Sequence, residues 1–307
     1  MLDLDLSRLL PWRWVKLDPA RTVAAQTHFN TQGGYDVWHT YCRQEFKRAA
    51  GRDASKLKSD GIAVVKCLNA QEAVATKELA LAKAEAFASA KKAVNYSDVM
   101  KFSNSDFLLP TVTKMLNAEM DNTATDIFGS EYYVHSLMIN RTMPSKVSKR
   151  SFLWHCDRGP KDFIKINMFL DATSEHGGTT EFLNLKDSAA FEKAGYTFGA
   201  NARRVADLSG LSRRLKVEPK VIHPQLAAGE AFAFFPARSL HRGFLPTKGI
   251  RHMLSIVLLP SPILWTKAWK ATSKTGYHLT SSATFPDKAS SLFGVLGLEE
   301  KPLPTVQ

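Results

Sequence analysis

The chain has 307 residues, 44% of them hydrophobic, and a formal charge of +12; this is enough for one large domain with a substantial core and too apolar for a disordered chain. No run approaches the roughly 18 to 20 consecutive apolar residues of a membrane-spanning helix, and the start Met1-Leu2-Asp3-Leu4-Asp5-Leu6 carries acid where a secretory signal carries base, so a cytoplasmic protein is expected. Cys42, Cys67 and Cys156 show no CxxC or CxxxC spacing, which argues against both a disulfide framework and a structural zinc site.

The first 55 residues read as extended pieces and loops around Trp12 and Trp14, leading into a helix over 37–50. Residues 57–66 read as a turn followed by a short buried strand, given the β-branched run Ile62-Ala63-Val64-Val65. The stretch 71–92 is rich in alanine, glutamate, lysine and leucine without glycine or proline, which is helix composition; its alanine-lined face suits close packing on a sheet. A further helix is expected over 109–127, with Pro110 in its first turn.

From Tyr132 the texture changes to short strands: 132–140, 151–157, 163–170 and 178–183, then 220–223, 231–235, 239–244 and 251–259. Between the two groups lies a helical, basic insert over 186–220, holding Arg203, Arg204, Arg213, Arg214, Lys216 and Lys220. Many short strands separated by turn signals predict a β-sandwich or barrel, with the helices packed outside it. The expected organisation is one domain over 1–307: a helix-rich region over 1–130, a core over 131–260 and a C-terminal extension over 261–307, whose last residues, 299–307, are expected to be loose.

The chemistry-bearing stretch is Phe152-Leu153-Trp154-His155-Cys156-Asp157-Arg158-Gly159. In an extended chain His155 and Asp157 project to one side and Cys156 to the other, making two prongs of a metal claw. A redox-active divalent iron usually takes a second imidazole as well. His241, in a strand well downstream, is a suitable third ligand, although a buried, satisfied histidine would look the same in sequence. Arg251 opens the last strand, about ten residues on; a buried arginine fork there suits a dicarboxylate, or else pairs with a structural carboxylate. Asn167 and Lys165 share one face of their strand, either towards the interior or towards solvent, and Asn140 and Arg141 either reach the same space or close a turn. His176, His223 and His252 fit no ligand spacing.

The order His-x-Asp, a distant histidine, then arginine resembles the iron(II)- and 2-oxoglutarate-dependent oxygenases, and specifically their phytanoyl-CoA dioxygenase-like branch. Glu175-His176-Gly177-Gly178-Thr179-Thr180-Glu181-Phe182 is similar to that family's acidic turn leading into a glycine-started strand, and Ala228-Gly229-Glu230-Ala231 to its Gly-Asp turn, with Glu230 in place of aspartate. The resemblance covers about residues 57 to 260; the stretch 180–186 departs from it, lacking the Pro-Gly-Ser-His run often seen there. It implies a mainly β fold with flanking helices, a double-stranded β-helix (jelly roll, cupin-like). It also implies Fe(II) held by His155, Asp157 and His241, 2-oxoglutarate anchored by Arg251 with Asn167 as a further contact, and dioxygen as co-reactant. The implied reaction is hydroxylation or other oxidation of an aliphatic carbon in a small or medium organic substrate, with succinate and carbon dioxide as coproducts.

The strong positive charge keeps an anionic substrate in view. Basic residues are spread over both halves with no arginine-rich arm and no interleaved aromatic and basic motif, which makes nucleic acid a poorer fit. The competing class is a non-catalytic barrel that binds an anionic ligand or nucleic acid, with the His-x-Asp pair incidental.

Overall fold

The computed structural model describes residues 19, 22–23, 25–26, 34–49, 56–84, 86–87, 97–102 and 104–274. The pieces expected around Trp12 and Trp14 and the tail over 299–307 lie outside the described residues. In chain order the main elements are α1 (Tyr35–Glu45), α2 (Leu57–Asp60), β1 (Ile62–Lys66), α3 (Ala70–Lys83), β2 (Ala86–Phe87), β3 (Ser97–Lys101), α4 (Leu109–Met115), α5 (Ala118–Phe128), β4 (Glu131–Thr142), β5 (Ile164–Phe169), α6 (Thr173–His176), β6 (Thr179–Leu183), α7 (Leu185–Lys193), α8 (Ser209–Leu215), β7 (Val221–Ile222), β8 (Glu230–Phe234), β9 (His241–Phe244), β10 (Arg251–Ser261) and α9 (Trp265–Lys274).

Several local expectations change. The helix over 109–127 is two helices, because Asn117 leaves the helical path and its side chain accepts from Met120 N as the cap of α5. The helix over 71–92 ends at Lys83; it is opened by a capping box in which Asn69 and Glu72 each accept the other's backbone N–H. The turn at 57–60 is the single helical turn α2, closed by Gly61 at φ 80°. The strand over 151–157 is a 3-10 turn at Arg150–Phe152 followed by isolated bridges at Trp154 and His155.

Two antiparallel sheets form the core. The large sheet has the order β1-β8-β5-β10-β4-β3-β2 and the small one β7-β6-β9, with His155 adding a bridge to His241 at the small sheet's edge. From β4 onwards the chain visits β4 in the large sheet, the 154–155 bridge in the small, β5 in the large, β6 and β7 in the small, β8 in the large, β9 in the small and β10 in the large. This eight-segment shuttle, with neighbours β4-β10-β5-β8 on one side and 155-β9-β6-β7 on the other, is a jelly roll. Residues before 130 supply β1, β2 and β3 to the large sheet as well as helices.

Period-2 alternation decides which face each strand residue joins. Leu254, Ile256 and Leu258 of β10 and Ile164, Ile166 and Met168 of β5 pack outward, in one cluster with Val112, Met115 and Met120 of α4 and α5 and with Trp265 and Trp269 of α9. Ala80 of α3 joins that cluster, so the alanine face packs as its composition suggests. The alternate residues face between the sheets: Phe169, Phe232, Phe234 and Met253 meet Phe182 of the small sheet in an aromatic floor. Arg251, Ser255, Lys165 and Asn167 belong to the same inward phase and line the space at one end of that floor.

Candidate metal centre

His155, Asp157 and His241 come together: one ligand atom from each lies within 4.8 Å of the others. Backbone hydrogen bonds set this meeting. His155 and His241 exchange N–H···O=C bonds of 2.9 Å in both directions, and Asp157 N donates to Pro236 O at 2.7 Å. Cys156 points the other way, into an apolar cluster with Leu183, Phe191 and Leu240, so the alternation expected of an extended chain holds over these three residues.

The tautomers follow from the partners. His155 Nδ1 lies 2.7 Å from Leu153 O, and His241 Nδ1 lies 2.9 Å from Ser239 O. A carbonyl only accepts, so each Nδ1 carries a hydrogen, and Nε2 is the ring nitrogen left to face the cluster. Burial, then the neighbouring His155, pulls the His241 pKa down to about 3, which keeps it neutral near pH 7. Both Nε2 atoms face Asp157 Oδ1, at 3.3 Å from His155 and 3.9 Å from His241.

The two Nε2 atoms and Asp157 Oδ1 therefore converge as ligand atoms. A cation completes such a set, and backbone-bonded imidazoles are the usual way of orienting metal-binding histidines. Asp157 is held ionised: burial works to raise its pKa, but Lys165, His155 and His241 keep it well below the usual carboxylate range. Lys165 Nζ donates to Asp157 Oδ2 at 3.1 Å, which leaves Oδ1 as the oxygen turned to the histidines.

The same cluster lies in an inner chamber of about 240 Å³ that also includes Arg251, Asn167, Asn140, Thr142 and Ser255. Arg251 is 3% exposed, yet its guanidinium meets only neutral groups: Thr179 O at 2.8 Å, Phe244 O at 3.2 Å and Thr142 Oγ1 at 3.3 Å. Burial alone lowers its pKa, to about 10, so it stays charged at neutral pH, without a carboxylate partner among the described residues. Arg251 Nε, Asn167 Oδ1 and Ser255 Oγ are buried with no hydrogen-bond partner, a cost that a polar ligand removes. Phe152 covers Arg251, with the guanidinium carbon 5.9 Å from the ring centroid. Gly243 makes room for that ring, since a Cβ there would sit 2.8 Å from it.

An outer chamber of about 360 Å³ shares Met138, Asp157 and Lys165 with the inner one and adds His135, Arg158, Phe163, Arg204, Val257 and Leu259. Arg204 belongs to the basic insert, which the sequence offers either as an anion site near the mouth or as a solvated loop, and Arg158 directly follows Asp157; the sequence did not bring these two together. Of the other expected neighbours, Asn140 lines the inner chamber, whereas Arg141 turns away to pair with Asp98 at 3.0 Å. His176, His223 and His252 stand outside the cluster: His176 Nδ1 accepts from Gly178 N, His223 meets Glu181, and His252 meets Asp171. No helix among the described residues is long and apolar enough to cross a membrane.

Fold and cluster together define a jelly roll with a two-histidine, one-aspartate cluster, suited to a metal ion, between its sheets. No family model and no curated protein matches the sequence. Among solved structures, the chain is similar to the non-heme α-ketoglutarate-dependent epimerase SnoN from nogalamycin biosynthesis, with a TM-score of 0.47 and 14% identity over 73% of this chain and 84% of that one. It is also similar to EctD from S. alaskensis with 2-oxoglutarate and 5-hydroxyectoine, at TM-score 0.46 and 16% identity over 70% and 78%. A third is HygX from Streptomyces hygroscopicus with nickel and 2-oxoglutarate bound, at 0.43 and 11% over 68% and 86%.

Proposed function

We propose that the protein is an iron(II)- and 2-oxoglutarate-dependent oxygenase in which His155, Asp157 and His241 hold the iron and Arg251 anchors the cosubstrate. The observation that carries this reading is the meeting, in one chamber, of the ligand atoms of His155, Asp157 and His241 with a buried guanidinium that has no carboxylate partner among the described residues. Two imidazoles and one carboxylate are the donor set of non-haem ferrous oxygenases, and an arginine fork binds a carboxylate in two places.

When bound, iron with 2-oxoglutarate and dioxygen supplies the oxidation of an aliphatic C–H bond, with succinate and carbon dioxide as coproducts. The chain's own residues prepare the site for it. His155 and His241 present their Nε2 atoms, with the rings fixed by Leu153 O and Ser239 O. Lys165 holds Asp157 Oδ2 and so turns Oδ1 to the ion. Arg251 orients the far carboxylate of the cosubstrate, and Asn167 and Ser255, both inward and unpartnered at their oxygens, give it further polar contacts. Phe234, Met138 and Met253 give the chamber apolar walls, which strengthen each charged contact by keeping water back.

Retention of Asp157 favours hydroxylation or a related oxidation over chlorination, because the resemblance implies a small residue at this position in halogenating enzymes. The resemblance of these four residues, in their order, to the phytanoyl-CoA dioxygenase-like branch favours that branch. We further read the chain as a single cytoplasmic domain, with a small or medium organic molecule as substrate. The test is anaerobic: ferrous iron and 2-oxoglutarate added to the purified protein are expected to give a weak visible charge-transfer band. Absence of the band together with failure to retain iron would overturn the reading in favour of a non-catalytic anion-binding barrel.

A further inference from the structure

The outer chamber carries a second, separate signal. Arg158 and Arg204 converge on Gly199: Arg204 donates from Nε to Phe198 O at 3.2 Å and from a terminal nitrogen to Gly199 O at 3.4 Å, while Arg158 Nε would lie 3.7 Å from a Cβ at Gly199. All three residues line the chamber. Neither guanidinium is in an ion pair among the described residues, and the nearby carboxylate, Asp157, is already engaged by Lys165.

Apart from the paired Asp157 and Lys165, the rest of the wall is apolar or neutral. Phe163, Val257, Leu259 and Met138 give it an aliphatic and aromatic lining. His135 is neutral there, since burial pulls its pKa down to about 4, and its Nδ1 is engaged by the Tyr133 hydroxyl at 3.0 Å. The chamber, about 360 Å³ in volume and so in the range of small-molecule sites, is thus a largely apolar slot with two guanidinium groups that are in no ion pair among the described residues, beside the paired Asp157 and Lys165.

We propose that the outer chamber is a binding site for an amphipathic oxoanion, whose carboxylate or phosphate head lies between Arg158 and Arg204 and whose aliphatic body lies against Phe163, Val257 and Leu259. Paired forks favour a planar or tetrahedral oxoanion, and the apolar wall favours a hydrocarbon body. The proposal deepens the oxygenase reading, because it names the substrate class that would lay a C–H bond beside the iron, and it rests on that reading only for the last step; the binding site stands without iron.

The experiment is calorimetric titration of the full chain with octanoate, octyl phosphate, 1-octanol and octylamine, with and without saturating 2-oxoglutarate. Octanoate or octyl phosphate is expected to bind at least about tenfold more tightly than octanol, as losing a charge-assisted contact implies, octylamine not to bind, and 2-oxoglutarate not to compete. The comparison of the two anions assigns the head group. Arg158→Gln, at an exposed position, and Arg204→Gln are each expected to weaken the anion about tenfold and leave octanol unchanged; the first variant keeps the test sound if the second loosens the loop at Phe198. Equal binding of anion and alcohol, unaltered anion binding by Arg158→Gln, or competition by 2-oxoglutarate would overturn the proposal. A negative charge-transfer test with intact octanoate binding would remove the oxygenase reading and leave this site standing.

Discussion

His155 and His241 are tied to each other through their main chains, each N–H donating to the other's carbonyl at 2.9 Å, so that the two rings stand 4.4 Å apart between centroids. The ligand geometry is thus set by a backbone bridge between two distant parts of the chain. The side chains have only to supply nitrogen atoms.

His241→Ala is expected to abolish tight ferrous binding while leaving the fold intact, because the bridge uses main-chain atoms that alanine keeps. Iron content after gel filtration and a circular dichroism spectrum check the two halves of this statement. Full iron affinity in the variant would remove His241 from the ligand set. His155→Ala is expected to behave alike.

Arg251→Met should weaken 2-oxoglutarate at least about tenfold, the loss expected of a charged hydrogen-bonded anchor, with iron still bound. Because the wild-type guanidinium is buried against only neutral oxygens, methionine removes a costly desolvated charge as it removes the anchor. The thermal midpoint of the ligand-free variant should therefore be unchanged or higher. Separate titrations of iron and cosubstrate, with a melting curve, read all three outcomes.

Lys165→Met tests a residue that acts through another. Losing the contact to Asp157 Oδ2 frees the carboxylate to rotate or bind through both oxygens, and loss of such an outer partner typically weakens a metal about 10- to 100-fold. The affinity for a probe such as Co(II), followed by its visible spectrum, should fall accordingly, and the spectrum itself should change. Lys165→Arg, which keeps a donor and a charge, should recover part of the affinity. Unchanged affinity and spectrum in Lys165→Met would leave Lys165 as packing alone.

The parts of this site that were legible in sequence are those that depend on local alternation. His155 and Asp157 fall on one side because two residues separate like-facing positions, and the inward phase of Arg251 and Ser255 is visible once Leu254, Ile256 and Leu258 are read as the outward one. Asn167 and Lys165 were placed on one face by the same rule, but which face was not decidable, since that depends on helices α4, α5 and α9 covering the other side. The partner of Lys165 was invisible for a similar reason: it depends on the turn at 158–163 bringing β5 back beneath Asp157. The break at Asn117 was missed because a single polar residue in capping geometry overrides composition; the 3-10 turn before His155 has no side-chain cap and leaves no such mark in the sequence. Arg158 directly follows Asp157 whereas Arg204 lies within the insert over 186–220, and no periodicity predicts their meeting.

Asp171 offers a pH-dependent test away from the metal ligands. It accepts from His252 N at 2.7 Å, from His252 Nδ1 at 2.8 Å and from Lys77 Nζ at 2.7 Å, and so fixes the start of β10, where Arg251 sits. Burial alone would raise its pKa, but His252 and Lys77 override this and bring it down to about 2. The folded value is thus below the ordinary one of 3.8, and the sign follows: the unfolded chain takes up its proton first as the pH falls. The stabilisation is complete above about pH 5 and is lost progressively as the pH falls through about 4 towards 2. A depression of this size corresponds to about 2 kcal/mol. Asp171→Asn should therefore lower the stability from urea titration by about that amount at pH 7, and the gap between variant and wild type should narrow below pH 4. A gap that stays constant down to the acid transition would mean that Asp171 acts through its neutral contacts, with the charge contributing nothing.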